Sequence, residues 1–319
     1  MESALVTGAA GFIGSRLCKE LLKDKKKVIG IDNFLLGTKQ NIKNITSINK
    51  DYFEFIEHDL SDESQISNLI EKLKKIGKID EVWHMAANSD IRAYEDGFEK
   101  DFRNTFLTTV NTGRILESIK TKKLIFASSS AIFGTVSSPI KEKHGPILPE
   151  SYYGAMKVAS EAYISSITTY FLNNYLIFRF PNVVGKNVTH GIVFDFIKKL
   201  KNNPKELKVL GNGSQKKPYL YIDDLIDGMK FISNKNYKNG IYNLTPLDDG
   251  ITVREIAEIA IEVLSPDSKP RYEDTPIGWA GDVPYYSYDS KKMLETGWKP
   301  KYSSRDAIKE SFKKTNPEK

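Results

Sequence analysis

The sequence predicts an α/β fold: a doubly wound parallel sheet with helices on both faces, joined to a smaller, interleaved C-terminal α/β domain. Three observations carry this expectation. Short apolar runs alternate with helical stretches through the first half of the chain. A glycine-rich segment links the first such run to the first helix. The second half changes character and is loop-rich between Pro181 and Pro218.

Each element follows from its local pattern. Ser3–Thr7 is an apolar run ending in a glycine turn, and Phe12–Lys23 carries apolar residues at helical spacing. Lys27–Ile31 is a second strand, closed by Asp32, and Tyr52–Glu57 a third with alternating aromatics. Glu63–Lys75 places Ile66, Leu69, Ile70 and Leu73 on one helical face. Glu81–Met85, Lys123–Ser128 and Tyr175–Phe180 read as further buried strands. Beyond them lie a helix around Gly191–Leu200, an acid-initiated helix at Asp223–Ser233 and a final one at Ser303–Lys314. Thr252–Leu264 opens with Thr252 and Glu255 in capping-box spacing. The first domain is expected to cover 1–180 plus about 218–245, and the second about 181–217 plus 246–319.

Composition narrows the function classes. The 319 residues hold 47 Lys+Arg against 41 Asp+Glu, a net charge of +6. The lysines are scattered in pairs and triplets, such as Lys25–Lys27 and Lys313–Lys314, as on a solvated surface. No nucleic-acid partner is expected, and an anionic small substrate fits the charge. Cys18 is the single cysteine, so neither an intrachain disulfide nor a multi-cysteine metal centre is expected. No apolar run reaches the ~18–20 residues that span a bilayer, and the N-terminus reads poorly as a signal peptide. A cytoplasmic location with no membrane partner is the simplest expectation.

Two motifs carry the chemistry. Gly8, Gly11 and Gly14 are spaced G-x-x-G-x-x-G between a strand and a helix. In that context glycines permit the turn, the approach of a pyrophosphate and close helix–sheet packing, while the helix N-terminus offers N–H groups to phosphate. Asp32 ends the second strand, where a carboxylate accepts from an adenosine ribose and repels a 2′-phosphate, so NAD is expected over NADP. Asp59-Leu60 falls at the same sheet edge. The second motif is Tyr153 and Lys157, four apart on one helical face. A nearby cation favours the phenolate needed for a base at neutral pH, although such a pair also occurs as an ordinary surface contact. The run Ser128-Ser129-Ser130 ends the apolar strand before them.

Together these segments resemble the extended short-chain dehydrogenase/reductases, specifically the NAD-dependent nucleotide-sugar epimerase/dehydratase family. Thr7–Gly14 resembles its TGxxGxxG, His84-Met85-Ala86-Ala87 its HxAA, and Arg179–Gly185 its R-x-x-N-V-x-G. Tyr219–Leu225 is similar to Y-V-x-V-D-D, and Gly281-Asp282-Val283 to a C-terminal G-D-x loop. The resemblance implies a Rossmann domain with a small substrate domain, NAD as cofactor, and Ser129, Tyr153 and Lys157 as the catalytic residues. The implied cofactor residues are Gly8, Gly11, Phe12, Ile13, Gly14, Asp32, Asn33, Asp59, Leu60, Ala86, Ala87 and Asn104, with Tyr153 and Lys157. Asn88, Ser130, Asn182, Lys217, Tyr219 and Asp282 are implied for a nucleotide-diphosphate sugar, and no metal is implied. A homodimer is implied through helices near Phe98–Ile119 and from Tyr153 onward.

Departures from the family pattern narrow the reaction. Ser130 and Ala131 stand where the 4,6-dehydratases carry Asp-Glu. Lys217-Pro218 and Trp279 occupy regions where arginines commonly meet the diphosphate. The first expectation is a 4-epimerase working through a 4-keto sugar. The alternatives are a C4 dehydrogenase or 4-keto reductase using the same residues, and a non-catalytic NAD-binding scaffold.

Overall fold

The computed structural model of the chain describes residues 1–89, 97–235, 239–275 and 283–315. By contact density the chain divides into two compact units. The first comprises Met1–Ile132, Pro149–Arg179 and Ser233–Tyr242. The second comprises Phe133–Leu148, Phe180–Ile232 and Asn243–Lys319. The sequence reading drew the boundary elsewhere: segment 133–148 and the helix Ile222–Ser233 up to Ile232 group with the second unit.

In the first unit β1 (Ser3–Thr7), α1 (Phe12–Lys23), β2 (Lys27–Asp32), α2 (Lys39–Thr46), β3 (Phe53–Glu57), α3 (Ile66–Ile76) and β4 (Glu81–His84) follow in order. Next come α4 (Phe98–Asp101), a π-helical stretch Phe102–Leu107 and α5 (Thr108–Ile119). Then follow β5 (Lys123–Ala127), α6 (Tyr152–Ile167), β6 (Asn174–Arg179) and β7 (Gly240–Asn243). The sheet order is β7-β6-β5-β4-β1-β2-β3, and the pairings among β1 to β6 are parallel. The order reverses between β1 and β4, and in doubly wound sheets such a switch point at the carboxyl ends of the strands is where ligands bind.

Helices cover both faces. Leu5, Ile29, Ile31, Val82, Leu124 and Phe126 pack with Leu69 and Leu73 of α3, Ile115 and Leu116 of α5, and Ile164 and Ile167 of α6. α1 buries Leu17, Cys18, Leu21 and Leu22 and contacts β1 and β2. Gly30, in β2, has no room for a side chain, because a Cβ there would lie 2.8 Å from the Ala9 Cβ.

Two elements of this unit escaped the sequence reading. α2 is polar, and its start is fixed by the Thr38 side chain accepting from the Asn41 N–H (3.2 Å). β7 is only four residues long and follows a polar segment. The expected helix at 63–75 divides into a 3-10 turn, Glu63–Gln65, and α3, with Asp62 accepting from the Ser64 N–H (3.1 Å).

The second unit holds helices Gly191–Asn202, Ile222–Ser233, Val253–Leu264, Lys291–Glu295 and Ser304–Thr315. Its strands pair two by two, and the capping box read at Thr252 and Glu255 is formed.

Candidate active site

The glycine loop leaves β1 at Thr7. Gly8 has φ +70°, and a Cβ on it would come within 2.8 Å of the Ala86 N. A Cβ on Gly14 would overlap the Gly8 carbonyl. These two glycines let the loop, the β4 end and α1 touch. Gly11 differs, since a Cβ there would meet only the Gly8 carbonyl, at 3.2 Å, and otherwise enter open space. Gly11 is also the N-cap of α1, with no side-chain cap and no acid in the first turn. The N–H groups of Phe12 and Ile13 are thus left for an anion at the positive end of a 12-residue helix. This arrangement fits a dinucleotide pyrophosphate.

Asp32, at the end of β2, is 9% exposed. It accepts from the N–H groups of Ala10 (2.9 Å) and Phe34 (2.7 Å), and also from those of Gly11 and Asn33. Burial raises its carboxyl above the usual value while these donors pull it back. Asp32 therefore braces the glycine loop from the end of β2. Asn33 is exposed, and its Oδ1 accepts from the Leu35 N–H (3.0 Å).

Other expected cofactor residues stand at the same sheet edge with more structural duties. Asp59 accepts from the Ser61 N–H (2.8 Å). Leu60 turns its side chain into the core, and its carbonyl accepts from Asn111 Nδ2 (2.7 Å). Ala86 donates its N–H to Thr7 Oγ1 (3.2 Å), and Ala87 follows, half-buried. Asn104 donates from Nδ2 to the Lys100 carbonyl (3.0 Å), while its own carbonyl accepts from the Asn88 N–H (3.2 Å). That second bond comes from within the π-helical stretch, where the shifted ladder frees a carbonyl. Asn88 is 1% exposed and donates from Nδ2 to Asp101 Oδ1 (2.8 Å).

His84 lies in the core. Its Nδ1 pairs with Thr7 Oγ1 at 2.7 Å and its Nε2 with Thr109 Oγ1 at 3.0 Å. Burial, aided by the Lys157 charge, pushes its pKa down to about 3, so the ring is neutral at physiological pH.

Ser129, Tyr153 and Lys157, the trio expected from the sequence, converge where β5 ends. Ser151 caps α6 by accepting from the Gly154 N–H (3.1 Å). A Cβ on Gly154 would overlap the Ala131 carbonyl, so glycine lets the first turn of α6 lie against the segment after Ser129. Tyr153 is 8% exposed, and its oxygen hydrogen-bonds Ser129. Ser129 is half-buried and accepts from the Ala131 N–H (3.1 Å); Ser130, beside it, begins a 3-10 turn. Lys157 is 2% exposed and donates to the Ala127 carbonyl at 2.6 Å, with its Nζ 5.7 Å from the Tyr153 ring centre.

Lys157 was expected to favour the Tyr153 phenolate alongside a positively charged nicotinamide; in the protein alone, burial holds that hydroxyl well above the ordinary phenol value, and the Asp101 charge adds to the rise. Among the described residues only the Ser129 hydrogen bond opposes this. Burial also draws Lys157 down to about 7, against the pull of Glu161. In the protein alone the pair is thus a neutral phenol beside a lysine near its midpoint at neutral pH.

The expected sugar-diphosphate residues of the second unit are partly gathered. Asn182 and Tyr219 are register partners in parallel strands, Asn182–Val184 against Tyr219–Tyr221. Asn182 is exposed; Tyr219 is 5% exposed and donates its N–H to Ser304 Oγ (3.1 Å). Lys217 is half-buried in the strand Lys216–Lys217, where Gly250 (φ +95°) packs against its carbonyl. Asp282, with Trp279 and Gly281, lies outside the described residues.

Sequence reasoning missed Glu161 and the side chain of Arg179. Arg179 is 2% exposed and binds Glu161 through two hydrogen bonds, Nε to Oε1 (3.0 Å) and Nη2 to Oε2 (2.6 Å). The available signal was an acid four residues beyond Lys157, on the helical face that Tyr153 and Lys157 share.

A glycine cradle at a helix N-terminus, with a Ser–Tyr–Lys trio at the next sheet edge, defines an NAD-dependent short-chain dehydrogenase/reductase fold. The sequence profile described as the NAD dependent epimerase/dehydratase family matches residues 4–245, and the chain belongs to that family. NAD is accordingly its cofactor. A protein of Methanocaldococcus jannaschii assigned provisionally as a UDP-glucose 4-epimerase is 30% identical over 311 residues, covering 96% of this chain and 95% of the relative. The dTDP-D-glucose 4,6-dehydratase of Mus musculus is 26% identical over 317 residues, covering 97% of this chain and 87% of that one. Among solved structures, the UDP-glucuronic acid 4-epimerase of Bacillus cereus, in complex with UDP-glucuronic acid and NAD, superposes with a TM-score of 0.84. It is 26% identical and covers 98% of both chains.

Proposed function

We propose that the protein is a nucleotide-sugar 4-epimerase, inverting C4 of a nucleoside-diphosphate sugar through a 4-keto intermediate. The carrying observation is the hydrogen-bonded Ser129–Tyr153 pair with Lys157 one turn away, next to the NAD-compatible glycine loop. Gly8, Gly11, Gly14 and Asp32 would hold NAD, which supplies the hydride acceptor and donor when bound. Tyr153 takes the proton of the C4 hydroxyl and later returns it. Ser129 holds the C4 oxygen as alcohol becomes ketone. Lys157, when protonated, favours the Tyr153 phenolate. Burial of Tyr153 and Lys157 keeps bulk water from exchanging that proton during the cycle. A ketone that turns over before its hydrogen returns emerges with C4 inverted.

Water elimination is disfavoured for this chain, despite its dehydratase relatives. Ser130 and Ala131 offer no carboxyl group for acid–base removal of a neighbouring hydroxyl. Relatives named for UDP sugars support a uridine diphosphate sugar as the first substrate to assay. Asn182, Lys217 and Tyr219 in the second unit are assigned to the sugar diphosphate, and the first unit to the cofactor.

The test is Tyr153→Phe. NMR of a panel of uridine, guanosine, thymidine and cytidine diphosphate sugars should show C4 inversion by the wild type and none by the variant, with NAD binding retained. A variant turning over at the wild-type rate refutes the role of Tyr153. Stoichiometric NADH accumulation with released keto sugar would instead make the protein a C4 dehydrogenase or 4-keto reductase.

A homodimer is proposed through α4, α5 and α6. Phe98 and Tyr152 are 46% and 48% exposed, and their rings meet edge-on at 5.8 Å beside the Phe98–Phe102 stack. Such exposed aromatic surface suits a partner helix pair. No helix among the described residues is long and apolar enough to cross a membrane. A cytoplasmic location is proposed, in keeping with the buried free thiol of Cys18.

A further inference from the structure

A buried ion pair that the proposed mechanism leaves unused lies beside the catalytic trio. Glu161 is 8% exposed and receives both Arg179 hydrogen bonds and a third from Ser128 Oγ, at 2.5 Å to Oε1. Such a pair is an expensive way to hold a core together, because well-packed apolar residues often serve stability as well or better. Its location supplies another reason for it. Residues 153, 157 and 161 repeat every four along one face of α6. Ala127, whose carbonyl accepts from Lys157, directly precedes Ser128, which donates to Glu161, and Ser129 comes next. Two successive residues at the β5 end are thus fastened to two successive turns of the catalytic helix.

We propose that Glu161 is a positioning residue for the reaction: anchored by Arg179, it fixes Ser129 against Tyr153 through Ser128 and opposes the loss of the Lys157 charge. The groups around Lys157 favour this assignment. Phe126 presents its ring 4.6 Å from Nζ. His84, on β4, is neutral. Arg179, on β6, is neutralised by Glu161 itself. Asp101, on α4, acts on Tyr153. Among the described residues, the negative charge that opposes deprotonation of Lys157 belongs to Glu161.

The proposal rests on the epimerase reading, which wild-type turnover tests separately. In the NAD-loaded, full-length protein, Glu161→Gln keeps the shape and removes the charge. Its kcat should fall about fivefold at neutral pH with KM within about twofold, and the alkaline limb of kcat should move down by about one pH unit. An unmoved alkaline limb overturns the electrostatic role. Because breaking a buried pair can prevent folding, Ser128→Ala provides a second route that keeps both charges. It should lower kcat about fivefold while KM and the alkaline limb hold, a loss typical of a misplaced catalytic group. Wild-type kcat in Ser128→Ala overturns the positioning role.

Discussion

Substituting alanine at Gly11 and at Gly14 separates two roles of the glycine loop. At Gly11 the backbone has φ −74°, which any residue adopts, and the added methyl approaches only the Gly8 carbonyl, at 3.2 Å. Loss of a glycine N-cap costs about 0.5–1 kcal/mol, and the stiffer unfolded chain returns about 0.4–1 kcal/mol. Net stability should therefore change by less than about 1 kcal/mol. The methyl, however, fills the open space through which a pyrophosphate would approach the α1 N-terminus. At Gly14 the methyl overlaps the Gly8 carbonyl, which is backbone and cannot rotate away. α1 must shift, straining the packing of Leu17, Cys18, Leu21 and Leu22 at a cost of about 1–3 kcal/mol or more. Urea unfolding of the cofactor-free proteins measures the first quantity, and NAD titration by calorimetry the second. Gly11→Ala should keep its midpoint and lose NAD affinity, whereas Gly14→Ala should lose both. Wild-type affinity in Gly11→Ala, or equal destabilisation of the two variants, would refute the reasoning.

His84 links stability to pH with a definite sign. Its folded pKa, about 3, lies below the unfolded value near ~6.5, so protonation favours the unfolded chain. Its contribution is complete above ~6.5 and erodes by about 1.4 kcal/mol per pH unit as pH falls towards the folded value. Denaturant curves of His84→Gln should show a shallower acid dependence than wild type from pH 6 to 5, and parallel dependences would contradict the assignment. Gly154→Ala should push the first turn of α6 off the Ala131 carbonyl. It should depress kcat by about tenfold or more with NAD affinity intact, measured by steady-state kinetics beside NAD titration; lost NAD binding would count against this local picture.

The sheet was legible because its strands are short, apolar and buried, so period and burial agree. β1 ran from Ser3 to Thr7 as expected, and α1 from Phe12 to Lys23. The polar α2 and four-residue β7 were illegible because tertiary contacts, rather than an apolar stripe, hold them. The trio Ser129, Tyr153 and Lys157 was readable because helical spacing and a strand end fix its residues locally. The protonation balance of the trio was not, since it depends on burial and on Asp101, which is distant in sequence from Tyr153. Leu60 shows the same limit. Its position at the sheet edge was readable, but the inward turn of its side chain depends on α3 and α5.

The π-helical stretch Phe102–Leu107 sets a phase difference within one continuous rod. Each residue advances an α-helix by about 100°, so a single inserted residue rotates everything after it by more than a quarter turn. Upstream of the insertion Asp101 meets Asn88, and downstream Thr109 and Thr112 meet His84. Both alignments coexist because the insertion absorbs the mismatch. A one-residue deletion there would leave a straighter, more regular rod able to satisfy one set of partners only.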